Sequence, residues 1–98
     1  MKSNEVYKIT NKLTNKVYIG ITNQGSGARY RHHWYESRIG EPSPIHRSMA
    51  KYGEESFTLE IIDFADTYDE LKEKEKYWIK WYNSTDRSIG YNLTCILY

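Results

Sequence analysis

The chain has 98 residues, fifteen of them aromatic (ten Tyr, three Trp, two Phe), and a formal net charge of +1, which suits one small α/β unit near the lower limit of independent folding. A single cysteine, Cys95, excludes an internal disulfide framework, and no leader-like start or long apolar run is present; the expectation is a soluble, intracellular chain with no membrane partner. Charge is unevenly spread: residues 1–53 hold nine Lys/Arg against three Asp/Glu (+6), residues 54–98 five against ten (−5). That split fits a basic surface around Arg29, Arg31, Arg38, Arg47 and Lys51 facing a polyanion, and equally fits solvated helix faces.

In chain order, Val6–Thr10 and Val17–Thr22 are rich in β-branched and aromatic residues and flank a polar stretch of turn formers, which predicts a hairpin. With a four-residue loop at Asn11 to Thr14, Tyr7 lies directly opposite Tyr18 and both phenols project from one face. Gln24-Gly25-Ser26-Gly27 is a turn leading into a helix from Ala28 to Arg38 that ends at Gly40. Ser43 is placed to cap a second helix with Pro44 in its first position, Ile45, Met49 and Tyr52 on one stripe, and Gly53 closing it. Phe57–Phe64 reads as a third strand. Thr67 with Glu70 forms a capping-box pattern for a helix running to about Asn83, and a loop leads to a short tail at Gly90-Tyr91-Asn92-Leu93.

Several side chains stand where chemistry is feasible. On the helix from Thr67, positions 71, 75, 78 and 82 share a face of Leu71, Glu75, Trp78 and Tyr82; a carboxylate in that stripe implies a bound metal, a cationic partner, or a helix rotated so that Ile79 changes the inward face. Arg29 and His33, spaced i,i+4, share a face: the guanidinium fork suits a phosphate, and the imidazole suits proton transfer, although each is also an ordinary surface residue type. A phenol with a pKa near 10 accepts protons only where cations favour the phenolate, and Arg29, Lys8 and a metal are the candidate suppliers. Gly20 allows close approach of a ligand or a bulge; Asn92 closes the site by a hydrogen bond or simply forms a turn. His32, His33 and His46 lack the paired spacing of a structural zinc site.

The ordered set of Tyr7, Tyr18-Ile19-Gly20, Arg29, His33, Glu75 and Asn92, spread through nearly the whole chain, resembles the GIY-YIG nuclease family, and the segment Arg47–Gly53 is similar to that of its phage homing endonucleases. The resemblance implies an α+β fold, a small three-stranded antiparallel sheet flanked by helices, forming a single nuclease domain over residues 1–98. It further implies a DNA endonuclease in which Glu75 holds one Mg²⁺ or Mn²⁺ against the scissile phosphate. Tyr7 then takes a proton from the attacking water with Tyr18 and His33 assisting, Arg29 stabilises the added charge, and Asn92 completes the site. Gly20, Arg31, Arg47 and Lys51 are expected to meet DNA. Glu5-Val6-Tyr7 departs from the family's Gly-Ile-Tyr at its first residue.

One site cuts one strand, so the expected activity is nicking. The chain leaves no room for a separate recognition domain, which points to a homodimer or a separate specificity partner. Two other classes fit parts of the pattern: a catalytically silent nucleic-acid-binding module, and an aromatic-rich interaction domain with no nucleic-acid role.

Overall fold

The computed structural model describes residues 4–93, so Cys95 lies outside the described residues. The elements are β1 (Asn4–Asn11), β2 (Val17–Thr22), α1 (Ser26–Arg38), α2 (Pro44–Tyr52), one 3₁₀ turn (Glu54–Ser56), β3 (Phe57–Ala65) and α3 (Tyr68–Tyr82). The strands pair antiparallel in the order β2–β1–β3, the three-stranded sheet that was expected. Alternation along β1 sends Tyr7 and Ile9 to one face, where α1 and α2 enclose them with Trp34, Ile45, Met49, Phe57 and Tyr91. Val6 points the other way, where α3 buries Leu71 and Ile79 against it and Ile19. Burying each of those aliphatic side chains contributes about 1.5–3 kcal/mol.

The hairpin forms with a different register. Tyr7 pairs with Gly20, and Tyr18 pairs with Ile9. The loop is displaced because Asn11 stays in the strand: its N–H donates to the Lys16 carbonyl at 2.9 Å, and its side-chain oxygen accepts from Leu13 N–H at 2.9 Å. Asn15 adopts the left-handed conformation (φ 63°) that closes the turn. Tyr7 and Tyr18 therefore sit diagonally on one face, with ring centroids 6.4 Å apart.

Helix α1 begins at Ser26, two residues before the expected Ala28, because β1 supplies its cap. The Glu5 carboxylate accepts from Ser26 N–H at 2.8 Å and from Ser26 Oγ–H at 2.6 Å, placing negative charge at the positive end of the helix. Glu5 thus ties the central strand to the helix carrying Arg29 and His33. In α2, Ser43 is the N-cap residue and Pro44 follows it, but the Ser43 side chain makes no capping bond. At α3 the Thr67 hydroxyl accepts from Glu70 N–H, while Glu70 reaches Asp66 N–H rather than Thr67, so only half of the capping box closes. The fully inward seam of α3 is Leu71, Glu75 and Ile79, with Trp78 and Tyr82 at its flanks.

Residues 89–92 run along the outer edge of β2. Tyr91 N–H donates to the Val17 carbonyl, and the Asn92 carboxamide both donates to and accepts from the Ile19 backbone at 2.9 Å. Asn92 is therefore a surrogate strand residue rather than a turn former. Replacing Asn92 with Ala leaves a buried N–H and carbonyl without partners, which costs about 2–4 kcal/mol; the midpoint of a thermal melt followed by circular dichroism is expected to fall by about 10–30 °C.

Candidate active site

A cleft of about 340 Å³ opens among α1, α2, α3 and the tail, lined by Tyr18, Arg29, His33, Glu41, His46, Glu75 and Asn92 among others. Its position follows from the fold. The β1–α1 tie through Glu5 orients α1 so that Arg29 and His33 face inward, and the α3 seam brings Glu75 up between Leu71 and Ile79.

Tyr7 lies immediately behind this lining. It is fully buried, and its hydroxyl is 2.8 Å from His33 Nε2. The His33 ring stands edge-on to both Tyr7 and Tyr18. Gly20 explains how the Tyr7 ring fits: a Cβ there would come within 2.3 Å of its Cζ and 2.4 Å of its hydroxyl oxygen. The space beside Gly20 is thus filled by Tyr7 and is closed to a ligand, which corrects the expectation that Gly20 meets substrate.

Burial pushes the Tyr7 phenol far above its ordinary value, with the Tyr18 phenol adding to the rise and the Arg29 charge opposing it. Burial pushes Tyr18 up as well. Both are neutral phenols at neutral pH. Lys8 offers neither of them a charge: one residue on from Tyr7, it projects to the opposite face and pairs with Glu60 at 3.2 Å and the Tyr82 hydroxyl at 3.4 Å. Arg29 lies in the cleft and contacts Glu36 at 3.4 Å.

Burial pushes His33 down to about 3, with the charge of Arg29 and the neighbouring His46 adding to the effect. It is a neutral imidazole at pH 7. Since the unfolded value is about 6.5, the unfolded chain binds the extra proton between pH 6.5 and 3. Stability is therefore complete above pH 6.5 and falls as pH drops, by up to about 1.4 kcal/mol per pH unit. Glu41, held down to about 2 chiefly by its hydrogen bond with His46, contributes only at lower pH. Melting temperatures between pH 6.5 and 5 are expected to decline in the native chain and to flatten in His33→Gln.

Two kinds of donor set could hold a metal. Glu75 is a buried carboxylate in the cleft. It suits a hard cation such as Mg²⁺, which takes one or two protein carboxylates and fills its remaining positions with water and substrate phosphate oxygens. His33, Glu36 and His46 also bring one ligand atom each within 4.8 Å of one another, a nitrogen-rich set that suits softer ions. Its two nitrogens lie 2.7 Å apart and are joined by a hydrogen bond, so a proton lies between them. Glu75 is the better match to Mg²⁺.

Arg31, Arg47 and Lys51 do not line the cleft. All three are exposed on α1 and α2, with Arg47 bound to the Pro42 carbonyl and Lys51 over the Tyr52 ring. Linear reasoning missed His46, Glu41 and Glu36. The only local sign was a histidine placed within the Ile45–Met49 stripe of α2; its link to His33 depends on how α2 packs against α1.

The sequence profile of the GIY-YIG catalytic domain matches residues 4–92. Intron-associated endonuclease 1 of Enterobacteria phage T4 is 37% identical over 97 residues, which cover 95% of this chain and 37% of that protein. The chain spans 28% to 37% of the length of the curated relatives it matches. Among solved structures, the catalytic domain of intron endonuclease I-TevI, as its E75A mutant, superposes with a TM-score of 0.83 at 30% identity, covering all of this chain and 99% of that one. A second structure, of the catalytic domain of homing endonuclease I-TevI, gives 0.79 at 31% identity, covering 93% and 98%. The matched profile spans nearly every described residue, and the superposition on the solved catalytic domain covers the whole chain: this chain belongs to the GIY-YIG nuclease family.

Proposed function

We propose that the chain is a divalent-metal-dependent endodeoxyribonuclease that hydrolyses a phosphodiester bond and nicks one DNA strand per encounter. The observation that carries this reading is the convergence, in one cleft, of a buried carboxylate (Glu75), a guanidinium (Arg29) and a neutral imidazole (His33) bonded to a buried phenol (Tyr7). Glu75 is assigned as the ligand of one Mg²⁺ or Mn²⁺, which when bound supplies charge stabilisation at the phosphate and leaving oxygen. Arg29 is assigned to the phosphoryl oxygens, where its planar fork offsets the charge gained during attack. Tyr7 receives a proton from the attacking water, and Tyr18 lines the cleft beside it and orients that water. Asn92 holds the β2 edge in place under Tyr18.

The exposed Arg31, Arg47 and Lys51 are assigned to the DNA backbone outside the cleft. Because one site cuts one strand, a double-strand break requires two copies of the chain or two visits. Sequence choice would then come from a homodimer or a separate partner. None of the helices among the described residues is long and apolar enough to cross a membrane, and DNA in solution is the proposed substrate.

The test is conversion of supercoiled plasmid to the open circle. Nicking with Mg²⁺ that EDTA abolishes and Mn²⁺ restores is the expected result. Salt-dependent plasmid retention without cleavage under any divalent ion would replace the enzyme with a nucleic-acid-binding module.

A further inference from the structure

The Tyr7 hydroxyl begins a chain of hydrogen bonds that leads away from the cleft. Its oxygen is 2.8 Å from His33 Nε2; His33 Nδ1 is 2.7 Å from His46 Nε2; and His46 Nδ1 bonds to Glu41 Oε1. Both imidazoles are buried, and Glu41 lies at the partly exposed end. An ionised carboxylate can only accept, so its position determines every proton behind it. His46 Nδ1 carries a proton toward Glu41. In neutral His46, Nε2 must then accept, so His33 Nδ1 carries a proton. That leaves His33 Nε2 as a bare acceptor facing the Tyr7 hydroxyl, which donates.

We propose that Tyr7, His33, His46 and Glu41 form a proton relay, in which His46 and Glu41 are positioning residues that hold His33 as its Nδ1–H tautomer and receive the proton Tyr7 sheds. The inference rests on the nuclease reading above. The attacking water gives one proton to the Tyr7 oxygen while its own oxygen bonds to phosphorus and the phosphorus–leaving-oxygen bond breaks. The original Tyr7 proton moves to His33 Nε2, and the His33 Nδ1 proton moves to His46 Nε2. Tyr7 and His33 end neutral, His33 with its tautomer inverted, and His46 ends as an imidazolium. The leaving oxygen takes its proton from solvent. Once product leaves, the protons retrace the path, from His46 Nε2 to His33 Nδ1 and from His33 Nε2 to the Tyr7 oxygen, and Tyr7 gives the proton it took from the attacking water to water in the cleft, which restores the resting tautomers.

The surroundings can receive the transient charge of that endpoint. His46 lies between two carboxylates, Glu41 and Glu36, the latter 3.5 Å from its Nε2. Glu36 is itself shared with Arg29 and His32 on α1. His33, by contrast, is enclosed by aromatic rings and stands beside Arg29, so a resting positive charge there is disfavoured and the proton passes through it. The relay therefore answers a difficulty of the site: a buried phenol cannot become a base by simple ionisation, but it can exchange one proton for another.

The experiment is ¹⁵N-histidine NMR at neutral pH, combined with nicking kinetics on the full chain. His33 is expected as the Nδ1–H tautomer in the native chain and as Nε2–H in His46→Phe, with kcat in that variant reduced by about 10² and KM for plasmid unchanged. Glu41→Gln, at a partly exposed position that tolerates exchange, retains an acceptor for His46 Nδ1–H. It is expected to keep the His33 tautomer while lowering kcat by about tenfold, a separation that a purely structural role would not produce. An Nε2–H His33 in the native chain, or full kcat in Glu41→Gln, overturns the relay. Failure of the native chain to nick at all would count against the nuclease reading, and the tautomer measurement would then decide the relay by itself.

Discussion

Glu75→Ala is expected to lower the nicking rate by about 10³ or more while plasmid binding persists. Glu75 sits in the fully inward seam of α3 between Leu71 and Ile79, one helical turn from each, and lines the cleft that also holds Arg29 and His33. The two aliphatic neighbours, fully buried against Val6 and Ile19, carry the docking of α3. Alanine therefore removes the carboxylate without releasing the helix. Losing the carboxylate proposed to hold the metal would forfeit several kcal/mol of charge stabilisation in the transition state, and about 4 kcal/mol corresponds to a factor near 10³.

Stability moves little by comparison. Taking a carboxylate out of an apolar seam relieves its desolvation while losing its polar contacts, so the net change is expected within about 1 kcal/mol. Glu75→Gln separates charge from shape: it keeps the volume and one acceptor oxygen and is expected to be nearly as inactive. Nicking rates over a Mg²⁺ titration, beside melting curves, give both readouts. Wild-type activity in the Gln variant would remove Glu75 from the metal.

Gly20→Ala is the second large effect, and it acts through Tyr7 rather than through substrate. An alanine Cβ would overlap the Tyr7 ring at Cζ, the hydroxyl oxygen and Cε1, at 2.3, 2.4 and 2.8 Å. Gly20, on β2, and Tyr7, on the central strand β1, are cross-strand partners, and the outer edge of β2 is itself bonded to residues 89–92, so neither backbone can retreat without breaking hydrogen bonds. The ring must leave its position, and its hydroxyl must leave His33. Overpacking of this kind costs about 1–3 kcal/mol, and a displacement near 1 Å at a reacting group can cost about 10² in rate. Gly27→Ala is the matched control, since a Cβ there meets only an Arg31 guanidinium nitrogen at 3.8 Å within α1. It is expected to leave activity unchanged and to raise stability by up to about 1 kcal/mol. Equal melting temperatures for Gly20→Ala and the native chain would disprove the packing argument.

Much of the architecture was legible in the sequence because it depends on neighbours four residues apart or fewer. Thr67 caps α3 because its hydroxyl meets the Glu70 N–H one turn away, and Pro44 starts α2 because its ring suits a first helical position. The alternating run from Phe57 predicted β3, and the i,i+4 spacing of Arg29 and His33 predicted a shared face, which the structure turns into the cleft. The family resemblance supplied the sheet's size and the roles proposed for its residues.

Other features were decided only by the tertiary structure, and in each a buried polar group found a partner far along the chain. The hairpin register is two residues from the expected one because Asn11 is buried, with its carboxamide reaching the Tyr91 hydroxyl eighty residues away, and cannot serve as an exposed loop residue. Glu5 looked like a blemish in the first motif and is the cap that starts α1 early. Asn92 read equally as a side-chain hydrogen-bonding residue or a turn former, and its carboxamide completes the edge of β2. Nothing in the linear sequence beyond a histidine within the α2 stripe linked His46 and Glu41 to His33. Hydrophobic period and capping chemistry are local and can be read directly, whereas the partner of a buried donor or acceptor is chosen when helices dock on the sheet, because desolvation makes leaving it unpaired too costly.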